Sequence, residues 1–239
     1  DSKWTEDRLE HLMASSSAAD RADELEAAFA SDGTLLGLRF KNCVNVGAYV
    51  RAPEPASVYR MHAASNGCYA VKNISIQNKL VSTNKMPVGL NRGYGGPQFY
   101  YGLERMMDLT ARKLNIDMAE IRRKNFIPKD QFPYHAPAGA IYDSGNYSEA
   151  LDVLLKLSNY ENLKQRRKQA RAAGKLFGIG MGAGVEPSGS NMAYVTLAQT
   201  AEERKRAGGR SGGTAVASVT IDPTGAVSVN LDSTPAGQG

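Results

Sequence analysis

The octapeptide Asn91-Arg92-Gly93-Tyr94-Gly95-Gly96-Pro97-Gln98 constrains the chain more than any other segment. Gly93, Gly95 and Gly96 free the main chain to take positive φ, which side-chain-bearing residues resist, and let bare amides approach a ligand closely. Consecutive amides in such a turn can form a concave nest for an anion. Pro97 suits the first turn of a helix, because its missing N–H has no intrahelical partner there. A helix is predicted to follow, with Leu103, Met107, Thr110 or Ala111, and Leu114 on one face. Glu104, Arg105, Asp108, Arg112 and Lys113 are assigned to the solvent face. By residue chemistry alone this is a tight strand-to-helix turn, flanked by a cation at Arg92 and a ring at Tyr94.

The surrounding pattern is mixed. Residues 1–30 read as helical or irregular, with Leu25, Ala28 and Phe29 spaced for one helix face. Asp32-Gly33 marks a turn before two strand candidates, 34–41 and 44–51. Short apolar runs broken by polar residues fill 58–92. Asp117 with Glu120 three residues on resembles a capping box and starts another helix. The stretch 128–145 reads as an ordered loop. Helices are predicted over about 147–157 and 161–173, the second ending near Gly174. Strand candidates follow at 176–185, 192–199, 214–221 and 226–232, and Asp222-Pro223-Thr224-Gly225 makes a hairpin turn of the last pair. The class is α+β, with mixed sheets, flanking helices and a boundary between 1–145 and 146–239.

Charge and composition exclude several partners. The excess of five positive charges is spread thinly, and the runs Arg166-Arg167-Lys168 and Arg204-Lys205-Arg206 lack interleaved aromatics. That argues against a nucleic-acid platform. No stretch reaches the roughly 18 apolar residues of a membrane helix. The start, at Asp1, carries no secretory signal. Cys43 and Cys68 are the only cysteines and lie too far apart for a zinc or cluster motif. They read as free thiols of a reducing, cytoplasmic compartment, where the sequons at Asn73 and Asn146 carry no weight. His11, His62 and His135 lack ligand spacing. Gly178-Ile179-Gly180-Met181-Gly182-Ala183-Gly184 mimics a dinucleotide fingerprint but lacks an acidic residue about 20 positions on. Small residues on a crowded strand account for it better.

In order along the chain, these marks resemble one family. Arg92-Gly93-Tyr94-Gly95-Gly96-Pro97-Gln98, then a helix, then Glu120-Ile121-Arg122-Arg123-Lys124-Asn125, resembles the large subunit of the xanthine dehydrogenase and aldehyde oxidase family. Trp4 to Arg8, Asn45-Val46-Gly47-Ala48-Tyr49, Thr83-Asn84, Tyr142 to Gly145 with Tyr147, and the terminal Gly237-Gln238-Gly239 resemble further family segments in the same order. The resemblance implies a two-part molybdenum-cofactor-binding fold. It places the main chain of Arg92 and Gly93 near the molybdenum and Gly237, Gln238 and Gly239 on the pterin. Tyr94 becomes a substrate-pocket wall. Arg60, Glu186 and Ser188 are candidates for the same pocket. Tyr94 stands where many members carry Phe, and its added hydroxyl argues against strict purine specificity.

The resemblance also implies a catalytic glutamate beyond Gly239 and a first cofactor loop before Asp1, so the chain reads as an interior piece with no catalytic residue of its own. The implied reaction hydroxylates an aldehyde or N-heterocycle with oxygen from water. The cofactor is a molybdopterin type, the cytosine dinucleotide form being one option, with FAD and 2Fe-2S clusters on partner subunits. Those partners imply a dimer of heterotrimers. A carbon monoxide dehydrogenase-like subunit is the nearest alternative. Copper-binding members place cysteine directly after the turn arginine, and here that residue is Gly93. A non-catalytic interaction domain and a nucleotide-binding protein using 178–184 are the remaining alternatives.

Overall fold

The computed structural model describes residues 21–50, 56–89, 92–186, 202 and 216–231. Its first sheet holds β1 (Arg21–Phe29), β2 (Leu35–Gly47) and β3 (Asn73–Ser82) in that order. β1 runs antiparallel to β2, and β3 runs parallel to it. A short helix, α1 (Ala56–Tyr59), and a run of turns to Cys68 connect β2 to β3.

β1 corrects the expectation of helix or irregular structure before residue 30. Leu25, Ala27 and Phe29 are buried at alternate positions. Glu24 and Glu26 point the other way and pair with Lys41 (3.1 Å) and Arg39 (2.6 Å) on β2. Ala, Glu and Leu favour helices in isolation, but cross-strand pairing and burial outweigh that local preference. The two strand candidates at 34–41 and 44–51 merge into the single strand β2. Asn42, the polar residue between them, is buried, and its amide donates to Asn78 Oδ1 on β3 (2.7 Å). A satisfied polar side chain need not interrupt a sheet.

α2 (Gly96–Leu114) covers the buried face of the sheet at β1, and α3 (Met118–Asn125) packs against α2. Phe99 of α2 meets Phe40 of β2 with ring centroids 5.0 Å apart. Leu103, Met106, Met107 and Ala111 continue the contact along α2. The helix starts at Asp117 as predicted, but the Asp117 side chain accepts from the Ala119 amide (2.8 Å), while the Glu120 carboxylate pairs with Arg123 (3.5 Å). The stretch 128–145 is an ordered loop holding one 3-10 turn and two-residue strands β4 (Tyr134–His135) and β5 (Ile141–Tyr142).

The helical hairpin α4 (Tyr147–Leu157) and α5 (Tyr160–Ala172) follows, close to the predicted bounds. Residues 175–186 then run back across α2 in extended form. Ile179, Met181, Ala183 and Val185 face the core at alternate positions. The predicted strand over 176–185 thus has the right side-chain period, but no ladder forms there among the described residues. The glycines of 178–184 face outward: a Cβ added at Gly178 or Gly180 would meet nothing within 4 Å. Crowding therefore does not explain Gly178 or Gly180, whereas a Cβ at Gly184 would touch the Tyr100 ring at 3.4 Å, and no strand-to-helix turn forms within 178–186. The final hairpin, β6 (Ala217–Ile221) and β7 (Val227–Leu231), closes through the predicted turn, where Asp222 Oδ1 accepts from Thr224 and Ala226 amides. Among the described residues, no helix is long and apolar enough to cross a membrane.

Candidate functional site

The glycine turn is built as its composition demands. Gly93 has φ 69° and Gly95 φ 82°, and the Gly96 amide donates to Gly93 O (3.0 Å). Gly95 is the N-cap of α2, Pro97 lies in its first turn, and no acidic side chain stands there. The positive end of a 19-residue helix is thus left without a counter-charge from its own first turn. A Cβ at Gly93 would have Glu186 Oε1 as its nearest neighbour, at 3.9 Å. The backbone conformation, not protein packing, excludes a side chain at this position.

Three segments far apart in sequence meet at this turn. Arg60, at the end of α1, donates from Nη1 to Tyr94 O (3.1 Å) and from Nη2 to Glu186 Oε1. Its guanidinium lies over the Tyr94 ring, 4.9 Å from the centroid. The Arg60 side chain is 9% exposed, whereas Glu186 is 53% exposed. Glu186 Oε2 lies 3.2 Å from the Cβ position of Gly96. Of the residues singled out from the sequence, Arg60, Gly93, Tyr94 and Glu186 are therefore brought together, with the exposed Arg92 beside them in the turn. Ser188, Gly237, Gln238 and Gly239 lie outside the described residues, as do Trp4 to Arg8 and His11.

A second polar cluster was not anticipated. Glu104, assigned to the solvent face of α2, is buried. Its Oε1 accepts from the Tyr69 hydroxyl (2.5 Å) and its Oε2 from Arg122 Nε (2.8 Å). The fully buried Arg122 also donates from Nη2 to Asp108 Oδ1 (3.0 Å) and to Met181 O (2.9 Å). Glu104 leaves the water because this arginine and phenol meet it inside. Although burial opposes its charge, the Glu104 carboxylate raises the Arg122 pKa further above its already high value. Burial, then Glu104, pushes the Cys68 thiol up to about 12.

Asn125 completes the buried polar face of α3. Its Oδ1 accepts from the Leu35 amide (2.7 Å), and its Nδ2 donates to Gly33 O and Ile121 O (both 2.8 Å). Arg122 and Asn125 are three apart, so they share a helix face, while Arg123 and Lys124 reach outward to Asp152 (2.7 Å) and Asp32 (3.0 Å). The signal was present in the helical spacing of 120–125. Residues 120–125 thus tie α3 to the β1–β2 turn and to the extended segment 175–186.

The Met181 carbonyl contact bears on the position of Glu186. Arg122 holds the extended segment at Met181, and the Tyr100 hydroxyl of α2 donates to Val185 O. Those two anchors deliver Glu186 to Arg60. The described half of the site suits a group that both accepts and donates hydrogen bonds. It offers amides at positive-φ glycines and a helix amino end beside which the Glu186 carboxylate stands, with the buried Gln98 Oε1 nearby in sequence and without a partner. His62 is engaged elsewhere, by Asn78 and by edge contacts with Tyr59 and Phe99.

Comparison with known proteins identifies the family. Two models described as molybdopterin cofactor-binding domain match residues 2–126 and 153–239. The nicotine 6-hydroxylase large subunit of Paenarthrobacter nicotinovorans is 31% identical over 99% of this chain and 28% of its own length. The carbon monoxide dehydrogenase large chain of Hydrogenophaga pseudoflava is 37% identical over 75% of this chain and 23% of its own. Quinoline 2-oxidoreductase from Pseudomonas putida 86 superposes with a TM-score of 0.75 at 30% identity, covering 92% of this chain and 27% of that one. This chain thus spans under a third of the length of each of these relatives. With a positive-φ glycine turn leading into α2 and these matches in hand, the chain belongs to the molybdopterin cofactor-binding domains of the xanthine dehydrogenase and aldehyde oxidase family.

Proposed function

We propose that this chain forms part of the cofactor and substrate pocket in the large subunit of a molybdenum hydroxylase acting on an aldehyde or N-heterocycle. The observation that carries this reading is the convergence of Arg60, Tyr94 and Glu186 on the glycine turn. The main chain of Arg92 and Gly93 would lie toward the metal, and Gly237, Gln238 and Gly239 would hold the pterin. When bound, the molybdenum cofactor supplies the two-electron redox chemistry through which carbon gains oxygen from water. The chain's own residues bind and orient. Glycine amides and the α2 amino end favour negative charge, the Tyr94 ring offers a flat wall, and Arg60 holds that ring from the other side. The family resemblance adds Ser188 as a further candidate for that pocket.

The relatives named as large subunits or large chains support an assembly with partner subunits. On this reading those partners carry FAD and 2Fe-2S clusters, the complex is a dimer of heterotrimers, and it works in the cytoplasm. The two halves of the cofactor domain would meet near 145–146, between the two matched segments.

Elemental analysis of the full-length subunit tests the assignment. Gln238→Ala is expected to lower molybdenum content. Gly93→Val is expected to abolish retention, because it forces a β-branched residue into φ 69° and fills the side of the turn that protein atoms leave open. Thermal unfolding confirms that each variant folds. Unchanged molybdenum in both folded variants rejects the proposal.

A further inference from the structure

We infer that Glu186 is a specificity-determining residue whose carboxylate, by occupying the Arg60 guanidinium, makes the pocket beside Tyr94 select neutral or cationic aromatic substrates over anionic ones. The inference rests on the placement of Arg60 and Tyr94 in the substrate pocket proposed above. It adds a charge rule that this placement does not contain.

An arginine beside an aromatic wall is the natural receptor for a substrate carboxylate, because its planar fork matches two oxygens. Here that fork is already engaged. Nη1 donates to Tyr94 O (3.1 Å) and Nη2 to Glu186 Oε1, while the guanidinium face covers the Tyr94 ring. The arginine is nearly buried and the glutamate is half in solvent. An incoming anion therefore meets the carboxylate before it meets the cation. It must displace an intramolecular partner held in place by the anchored segment at Met181 and Val185, or bear the repulsion of a second carboxylate. A neutral ring meets neither cost. A protonated ring nitrogen or amine gains an acceptor in Glu186.

The test uses the full-length holoenzyme and two nearly isosteric probes, pyridine-3-carboxylate and pyridine-3-carboxamide, titrated calorimetrically. The wild type is expected to bind the amide more tightly than the carboxylate. Glu186→Gln keeps an acceptor for Arg60 while removing the charge, and it is expected to shift the ratio of the two Kd values at least about tenfold toward the carboxylate. The double variant Arg60→Gln, Glu186→Gln is expected to lose that gain. An unshifted ratio in Glu186→Gln overturns the inference, and so does the absence of binding by either probe to either protein. Molybdenum content measured on the same samples reports separately on the cofactor assignment. Full metal with an unshifted ratio removes the charge rule alone. A wild type without molybdenum removes the cofactor reading, and the ratio still decides the role of Glu186.

Discussion

The molecule uses an arginine, a glutamate and a tyrosine together twice, for different ends. In one trio Arg122 is 0% exposed and its partner Glu104 only 12%, with Tyr69 closing the other carboxylate oxygen. In the other, Arg60 is nearly as buried, but Glu186 stands half in water beside the glycine turn. The difference in the glutamate decides the role. A carboxylate sealed between a guanidinium and a phenol has no access to a ligand and serves to hold elements together. A carboxylate at the surface can be exchanged, repelled or approached. The two trios are also connected. Arg122 grips the Met181 carbonyl, and Glu186 lies five residues further along the same segment, so the buried trio helps position the exposed one.

The largest expected effect breaks the comparison most directly. Arg122→Met leaves Glu104 inside without its cation, and removal of one partner from a buried pair costs about 3–5 kcal/mol. Arg60→Met, at a pair open to solvent, should cost only about 1 kcal/mol. Chemical denaturation of the full-length subunit reads both. Equal losses would show that the two trios play the same part. Asn125→Ala sharpens the buried side. It orphans the Leu35 amide and the Gly33 carbonyl, so a loss of about 2–3 kcal/mol is expected. A loss below about 0.5 kcal/mol would mean that the signature segment does not clamp the β1–β2 turn, because surface substitutions fall in that range.

The smallest effect concerns Cys68, which lies in the sealed region, whereas Cys43 is partly exposed. Burial first, and the Glu104 carboxylate second, raise the Cys68 pKa from 9.0 to about 12. A raised folded-state pKa means that the neutral thiol is favoured in the native protein. Its contribution to stability is fully present below pH 9 and is lost as pH climbs toward about 12. Iodoacetamide at pH 8.5 should therefore modify Cys43 and spare Cys68 in the native subunit, as peptide mass mapping would show. Equal labelling in native protein would show that the buried trio opens readily to solvent.

Much of the local architecture was legible in the residues. The glycine turn, the helices that follow it, the Asp117 cap and the Asp222 hairpin turn each depend on neighbours within a few positions. β1 was not legible. Its Ala- and Glu-rich stretch satisfies a helical spacing, and only β2, with Arg39 and Lys41 opposite Glu26 and Glu24, converts it to a strand. Glu104 was misassigned for a related reason. A charge reads as solvent-facing until the arginine that neutralises it, 18 positions away, is known to be inside. Of the candidate site, the residues themselves were found in the sequence, but their contacts were not. Arg60 and Glu186 are separated by 126 positions, and no spacing rule reaches across that distance.

By itself the order of amino acids determined the short-range features and the family, because φ preferences, capping and side-chain periodicity act between near neighbours. Tertiary structure alone decided which charged residues are sealed clamps and which stand open to solvent. The free energy of a charge depends on the groups and the water around it, and in this protein those groups arrive from distant parts of the chain.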